Sequence, residues 1–228
     1  MSEAILKQLE ESGLFRDFDA SAKQVLASKS RTQCYANGEV IYRIGEPSTA
    51  LYGVLDGAVK LFGEDANGKF YLFGLTAPGR WFGDSSALDG EPRGQTIIAA
   101  GKTQVVKYLR SDLLALLDSR PELYKHFVSV FCRRLREAGR TLEDNAFLPV
   151  SVRLAKQLLR LEKVRSRFNI TLTQEELAAS LGVSRQSIYR VLKKWEAEGL
   201  VSMTYGNVTL KNFEAMSALM GDIAPSNQ

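Results

Sequence analysis

Between Leu172 and Trp195 two amphipathic helical runs are parted by a single glycine, and no other stretch of the chain restricts its fold so closely. Thr173 followed three residues later by Glu176 is a capping box, opening a helix whose Leu177, Ala178 and Leu181 share one face. Gly182 ends that helix, because a left-handed backbone costs least without a side chain. Ser184 caps a second helix in which Ile188, Val191, Leu192 and Trp195 form the buried stripe. Arg185, Gln186, Tyr189 and Arg190 are left together on another face. Arginine forks onto the guanine edge and glutamine onto the adenine edge, and the major groove has room for one helix, so this face is the candidate base-reading surface. Capped helix pairs also occur in ordinary helical domains, where a basic face is simply solvated. The residues beyond Trp195 favour DNA: Leu200 to Met203 and Asn207 to Leu210 read as short strands around a Tyr205-Gly206-Asn207 turn, a winged arrangement.

Charge agrees once it is divided by region. From Val150 to Gln228 there are 11 Lys and Arg against 7 Asp and Glu, so this third carries the whole net charge of +4, and the first 149 residues balance at 19 of each sign. Phosphate attraction follows the basic groups near the duplex, which places a nucleic-acid surface in the C-terminal third. At 228 residues and 45% hydrophobic content the chain can bury two cores. No apolar run reaches the roughly 18 residues needed to span a bilayer, and Met1 is followed by Ser-Glu-Ala, so no membrane partner and a cytoplasmic location are expected. Cys34 and Cys132 are too far apart for a metal knuckle and are expected as small buried residues in a reducing compartment. His126, the one histidine, has no ligand partner near it in sequence, so no metal site is expected.

Ile5, Leu6, Leu9, Leu14, Phe15, Phe18, Val25 and Leu26 recur at helical spacing around Gly13, giving short N-terminal helices. From about residue 32 to 110 the texture changes to short β-prone runs, and twelve of the 18 glycines fall between Gly38 and Gly101. Asp56-Gly57 and Asn67-Gly68 read as hairpin turns, and strands so spaced indicate a β jelly-roll. Ser111-Asp112 starts a short helix, and Pro121 opens a much longer one that runs to about Phe147. Its stripe of Phe127, Val130, Phe131, Leu135, Ala138 and Leu142 suggests pairing with a second copy, the alternative being that it packs on its own β-domain. Pro149 marks a hinge before a further helix carrying Val152, Leu154, Ala155, Leu158, Leu159 and Leu161. The expected architecture is α+β: a β-roll sensor with N-terminal helices at 1–120, a dimerisation helix and hinge at 121–148, and a winged helix-turn-helix domain at 149–228.

Within the roll, Gly83, Asp84, Ser85 and Ser86 lead from a strand into a short helix, and Arg93, Gly94 and Gln95 come after it. Free backbone N–H groups at a helix start with an arginine nearby can hold a phosphate, or the segment is only a sharp turn with a surface arginine. Here the order of parts resembles the cyclic-AMP receptor protein and FNR family of transcription regulators over nearly the whole chain. Its phosphate cassette is matched by Phe82-Gly83 and Pro92-Arg93, its long helix by Cys132 to Leu135, and its hinge by Asn145 to Val150. The resemblance implies a homodimer on near-palindromic double-stranded DNA, with Arg185 reading a guanine, Gln186 in a place often held by glutamate, and Arg190 reaching a base or backbone edge. Thr173, Gln174, Ser184 and Ser187 are then the phosphate anchors. RNA polymerase is a further partner the family implies, but the loop from Val164 to Ile170 is short beside the receptor protein's polymerase-contacting loop, which leaves repression or a different contact open.

The departures concern the effector. The ribose-holding glutamate is Asp84, the hydroxyl after the cassette arginine is Gly94, and the purine-contacting hydroxyls are Ala138 and Gly139. Losing two or three polar partners at about 1 to 3 kcal/mol each weakens binding by orders of magnitude, so the pocket departs from the cyclic-AMP pattern and the effector is unknown. An FNR-type iron-sulfur cluster needs several N-terminal cysteines and only Cys34 is there, so no cluster is expected. Two other readings are an effector-independent DNA-binding protein with a purely structural β-domain, and a cupin-like enzyme. The second needs clustered histidine and carboxylate ligands that one helical histidine does not supply.

Overall fold

The computed structural model describes residues 2–64, 70–168, 170–204 and 207–221. The Asn67-Gly68 and Tyr205-Gly206 turns lie outside the described residues. Two compact units are formed, one from Met1–Glu64 and Leu75–Ala138, the other from Asp65–Gly74 and Gly139–Gln228.

The first unit begins with α1 (Ser2–Glu11) and α2 (Ala20–Lys29) and continues through β1 (Arg31–Tyr35), β2 (Val40–Tyr42) and β3 (Ala50–Glu64). Next in chain order come β4 (Phe70–Thr76), of which Leu75 and Thr76 fall in this unit, then β5 (Trp81–Phe82), α3 (Asp84–Asp89), β6 (Thr96–Leu109) and α4 (Arg110–Ser119). The long strands β3 and β6 pair antiparallel as the spine; β1 and β2 take two stretches of β6, while β4 and β5 pair with β3. Alternation along the spine serves two cores. Ala50, Tyr52, Val54 and Val105 face the inside of the roll with Tyr42, Phe82 and Ile97. Leu51, Val106 and Tyr108, one residue out of phase, face the helices around Phe15, Trp81 and Phe127.

Asp56-Gly57 is not a hairpin turn. Strand β3 runs through it, and the register against β6 shifts on both sides of Asp56. Gly57 has φ +76° there, and Thr103 Oγ1 donates to Ala58 O at 2.8 Å to close the bulge. A second correction concerns the thiols: Cys34, on β1, and Cys132 are both exposed.

After a 3-10 turn at Pro121–Leu123, α5 runs over Tyr124–Phe147. The stripe expected for pairing is two adjacent faces. Phe127 and Val130 are 1% and 5% exposed, closed into the first unit's core with Leu123, so they hold α5 to its own domain. Phe131 is partly buried, Ala138 is exposed, and Leu135 and Leu142 are 74% and 70% exposed. The faces lie roughly a quarter-turn apart on a 3.6-residue helix, close enough for one sequence stripe to merge them.

In the second unit α6 (Val150–Phe168) follows Pro149 and is helical through Phe168, so most of the expected Val164–Ile170 loop is helix. Then come α7 (Gln174–Leu181), α8 (Arg185–Ala197), β7 (Val201–Thr204), β8 (Asn207–Leu210) and α9 (Phe213–Gly221). Leu154, Leu158, Leu177, Ile188, Leu192, Trp195 and Val208 are buried in this unit. The wing strands pair from Val201↔Leu210 to Thr204↔Asn207, and Val208 N donates to Leu172 O at 3.0 Å, tying the wing to the start of the helix pair.

Candidate functional site

The helix pair forms by the caps its residues supply. Thr173 Oγ1 accepts from Glu176 N at 3.0 Å while Thr173 N donates to Glu176 Oε2 at 2.9 Å, completing the box. Gly182 closes α7 at φ +65°, and Ser184 Oγ accepts from Ser187 N at 3.2 Å to start α8. With the apolar stripe of α8 turned inward, Arg185, Gln186, Tyr189 and Arg190 are all exposed. Lys193, one turn beyond Tyr189 and absent from the sequence-based set, extends this face, its Nζ 5.9 Å from the Tyr189 ring centre. Its i+4 spacing from Tyr189 was the available signal. Of the expected phosphate anchors, Thr173 is engaged in its cap, and Ser184 and Ser187 share a hydroxyl contact of 2.9 Å. Gln174 Nε2 donates to Met203 Sδ at 3.4 Å, so that side chain steadies the wing.

The first unit holds a cavity of about 430 Å³ lined by Gly83, Asp84, Ser85, Ser86, Arg93, Gly94 and Gln95, the seven residues expected of an effector pocket. Tyr42, Arg80 and Arg134 also line it. Gly83, at φ +74°, turns the chain from β5 into α3. Arg93 is 3% exposed and folded inward: Nη1 donates to Gly83 O and to Ser86 Oγ, each at 3.0 Å, Nη2 donates to Ala50 O, and the guanidinium lies 4.2 Å from the centre of the Tyr42 ring. Burial pushes the Tyr42 phenol well above its usual pKa, against the opposing pull of Arg93, so it is neutral here.

Asp84, 2% exposed, is paired instead with a cation of α5. Arg134 Nη1 approaches its Oδ1 at 2.9 Å and its Oδ2 at 2.8 Å, and Ser85 N donates to Oδ1 at 3.1 Å. Arg134 is absent from the residues the sequence singles out. Its signal is the spacing Leu123, Phe127, Val130, Arg134, which puts it on the face α5 turns to its own domain. The missing side chains at Gly94 and Gly139 are not forced by packing, because a Cβ at either would meet nothing within 4 Å. His126 is half-buried with its ring centre 5.4 Å from that of Phe18, and no cluster of three or more His, Cys, Asp or Glu suited to a metal occurs among the described residues. Among the same residues no helix is long and apolar enough to cross a membrane.

A β-roll enclosing a polar cavity and a long helix leading to a winged helix-turn-helix define a class: DNA-binding transcription regulators that carry an effector-type domain. Residues 32–120 match the cyclic nucleotide-binding domain family, and residues 152–219 match the Crp-like helix-turn-helix domain family. The cyclic AMP receptor protein of Thermus thermophilus is 31% identical over 213 residues, 93% of this chain and 97% of that protein. A CRP-like cAMP-activated global transcriptional regulator of Mycobacterium tuberculosis is 28% identical over 216 residues, 92% of this chain and 96% of the relative. A solved CRP/FNR-family transcriptional regulator from Thermus thermophilus superposes with a TM-score of 0.69 at 26% identity, covering 84% of this chain and 98% of that one. The chain belongs to the cyclic-AMP receptor protein and FNR family of transcription regulators.

Proposed function

We propose that the chain works as a homodimer that sets two α8 helices in successive major grooves of a near-palindromic operator, about 34 Å apart. The observation that carries this reading is the single exposed face of α8, where Arg185, Gln186, Tyr189, Arg190 and Lys193 project from a helix capped at its start and anchored by Ile188, Leu192 and Trp195. Arg185 and Arg190 fork onto guanine edges; Gln186, which donates as well as accepts, shifts preference at one base pair from that of a glutamate. Thr173, Gln174, Ser184, Ser187 and the helix starts they flank face phosphate. The pairing surface is the outer line of α5, through Phe131, Leu135, Ala138 and Leu142. In this scheme 1–120 is the sensor, 121–148 the pairing helix and hinge, and 149–228 the reading head, acting in the cytoplasm where RNA polymerase is the further partner.

The sensor cavity, from Gly83 to Gln95, is the place for an anionic effector of the cyclic-nucleotide kind. Such a ligand would meet Asp84 already paired with Arg134, and Arg93 already spent on protein acceptors. Selection of bound duplexes from a random pool tests the scheme: the expected product is a two-fold-symmetric motif with half-site centres one helical turn apart. Arg185→Ala is expected to weaken binding to it by about 1–3 kcal/mol per half-site, while sedimentation still reports a dimer. Specific binding left undiminished by this substitution at physiological salt would defeat the assignment.

A further inference from the structure

On α5 and the 3-10 turn before it, the residues that hold the helix to its own domain are Leu123, Phe127 and Val130, and the next position on the same line is Arg134. Apolar attachment stops at Val130 and, beside it, Phe131; one turn further on the tie is ionic, from Arg134 to the nearly inaccessible Asp84. Asp84 is the first residue of α3, so the pair joins the cassette to the pairing helix within the first unit. An effector in this cavity would influence pairing by favouring one arrangement of α5 over another, since a ligand shifts an equilibrium only by its differential affinity for the two. Here the connection is made by the chain itself, and the other charged group of the cassette, Arg93, has both terminal nitrogens satisfied by Gly83 O, Ser86 Oγ and Ala50 O.

We propose that the Asp84–Arg134 pair is a built-in substitute for an effector: it fixes the rotation of α5 about its axis, so that Leu135, Ala138 and Leu142 are presented for pairing and the ligand-free protein is the DNA-binding form. This rests on the reading of α8 as the DNA-reading helix. Arg134 is 45% exposed at its side chain, so its replacement opens no core cavity, whereas a lone Asp84 carboxylate loses its charged partner.

The test uses the full-length chain and the duplex it selects from a random pool. Wild-type protein free of nucleotide is expected to bind with an affinity that changes less than about twofold when cyclic AMP, cyclic GMP or cyclic di-GMP is added near 1 mM. Arg134→Ala and Asp84→Asn are each expected to lower affinity about tenfold or more, and the double variant no further, as for two residues acting through one contact. Hydrogen exchange without DNA is the independent readout, with faster exchange expected in α3 and in α5 after Val130 for both single variants. A tenfold or greater gain of wild-type affinity on adding a nucleotide overturns the proposal. So does unchanged exchange in the variants. If no motif is selected in any arm while exchange changes as expected, the DNA reading fails and the tie between α3 and α5 stands.

Discussion

Arg93 and Asp84 illustrate how little a side chain's identity says about its job until its partners are known. Both are charged, both sit in the cassette, and both are almost completely buried, so each needs a partner or it destabilises the fold. Arg93 finds three neutral acceptors and a tyrosine face, becoming a strut across Gly83, Ser86 and Ala50. Asp84 finds a cation from a helix fifty residues away. Glycines divide in the same manner. A Cβ on Gly53 would lie 2.7 Å from the Trp81 ring and 2.9 Å from Gln8 Nε2, whereas one on Gly94 would meet nothing. Gly53→Ala is therefore expected to destabilise the first unit by about 1–3 kcal/mol, seen as a lowered Tm, and Gly94→Ser to leave Tm unchanged. Equal Tm values for the two variants would contradict the close approach of β3 to Trp81.

At the scale of elements, α5 carries two neighbouring apolar faces, one buried and one exposed. Leu123, Phe127 and Val130 are spent on the helix's own domain, and the outward line through Leu135 and Leu142 has no cover among the described residues. Exposed leucines in that register are what a paired helix buries. Leu135→Glu combined with Leu142→Glu is expected to convert the proposed dimer to a monomer by sedimentation with helix content retained, because both side chains are exposed in the single chain; a stable dimer would place the pairing surface elsewhere. Past α5, Lys156 Nζ reaches Asp144 Oδ1 at 2.7 Å, and Arg153 Nη1 reaches Asn145 Oδ1 at 2.7 Å and Leu181 O at 3.3 Å. Three polar contacts thus tie the end of α5 to α6 and the close of α7. The helix pair itself was legible residue by residue, since each cap is a local bond between positions three apart. The Asp56-Gly57 bulge was not, because the same dipeptide serves a hairpin or a bulge according to whether a long partner strand such as β6 lies alongside.

For the whole molecule, stability at high pH is set in the first unit. Tyr42 and Tyr108 are phenols whose pKa values burial raises. The folded chain keeps both protons under conditions where the unfolded chain releases them, so their contribution is full below about pH 10 and is lost progressively above it. Tm is expected to be flat from about pH 8 to near 10 and then to fall, less steeply in Tyr108→Phe, which also removes a buried hydroxyl with no hydrogen-bond partner among the described residues. An equal fall in that variant would assign the alkaline transition to other groups. By itself the sequence determined whatever rests on local bonds and periodicity: the α7–α8 pair with its caps, the exposed polar face of α8, the strand-rich middle and the long helix after Pro121. Tertiary structure alone decided which apolar residues of α5 stay within the chain, where the thiols lie, and that Arg134 reaches Asp84. Those outcomes depend on which surfaces meet across long sequence separations, and helical spacing records a residue's face without recording what that face will touch.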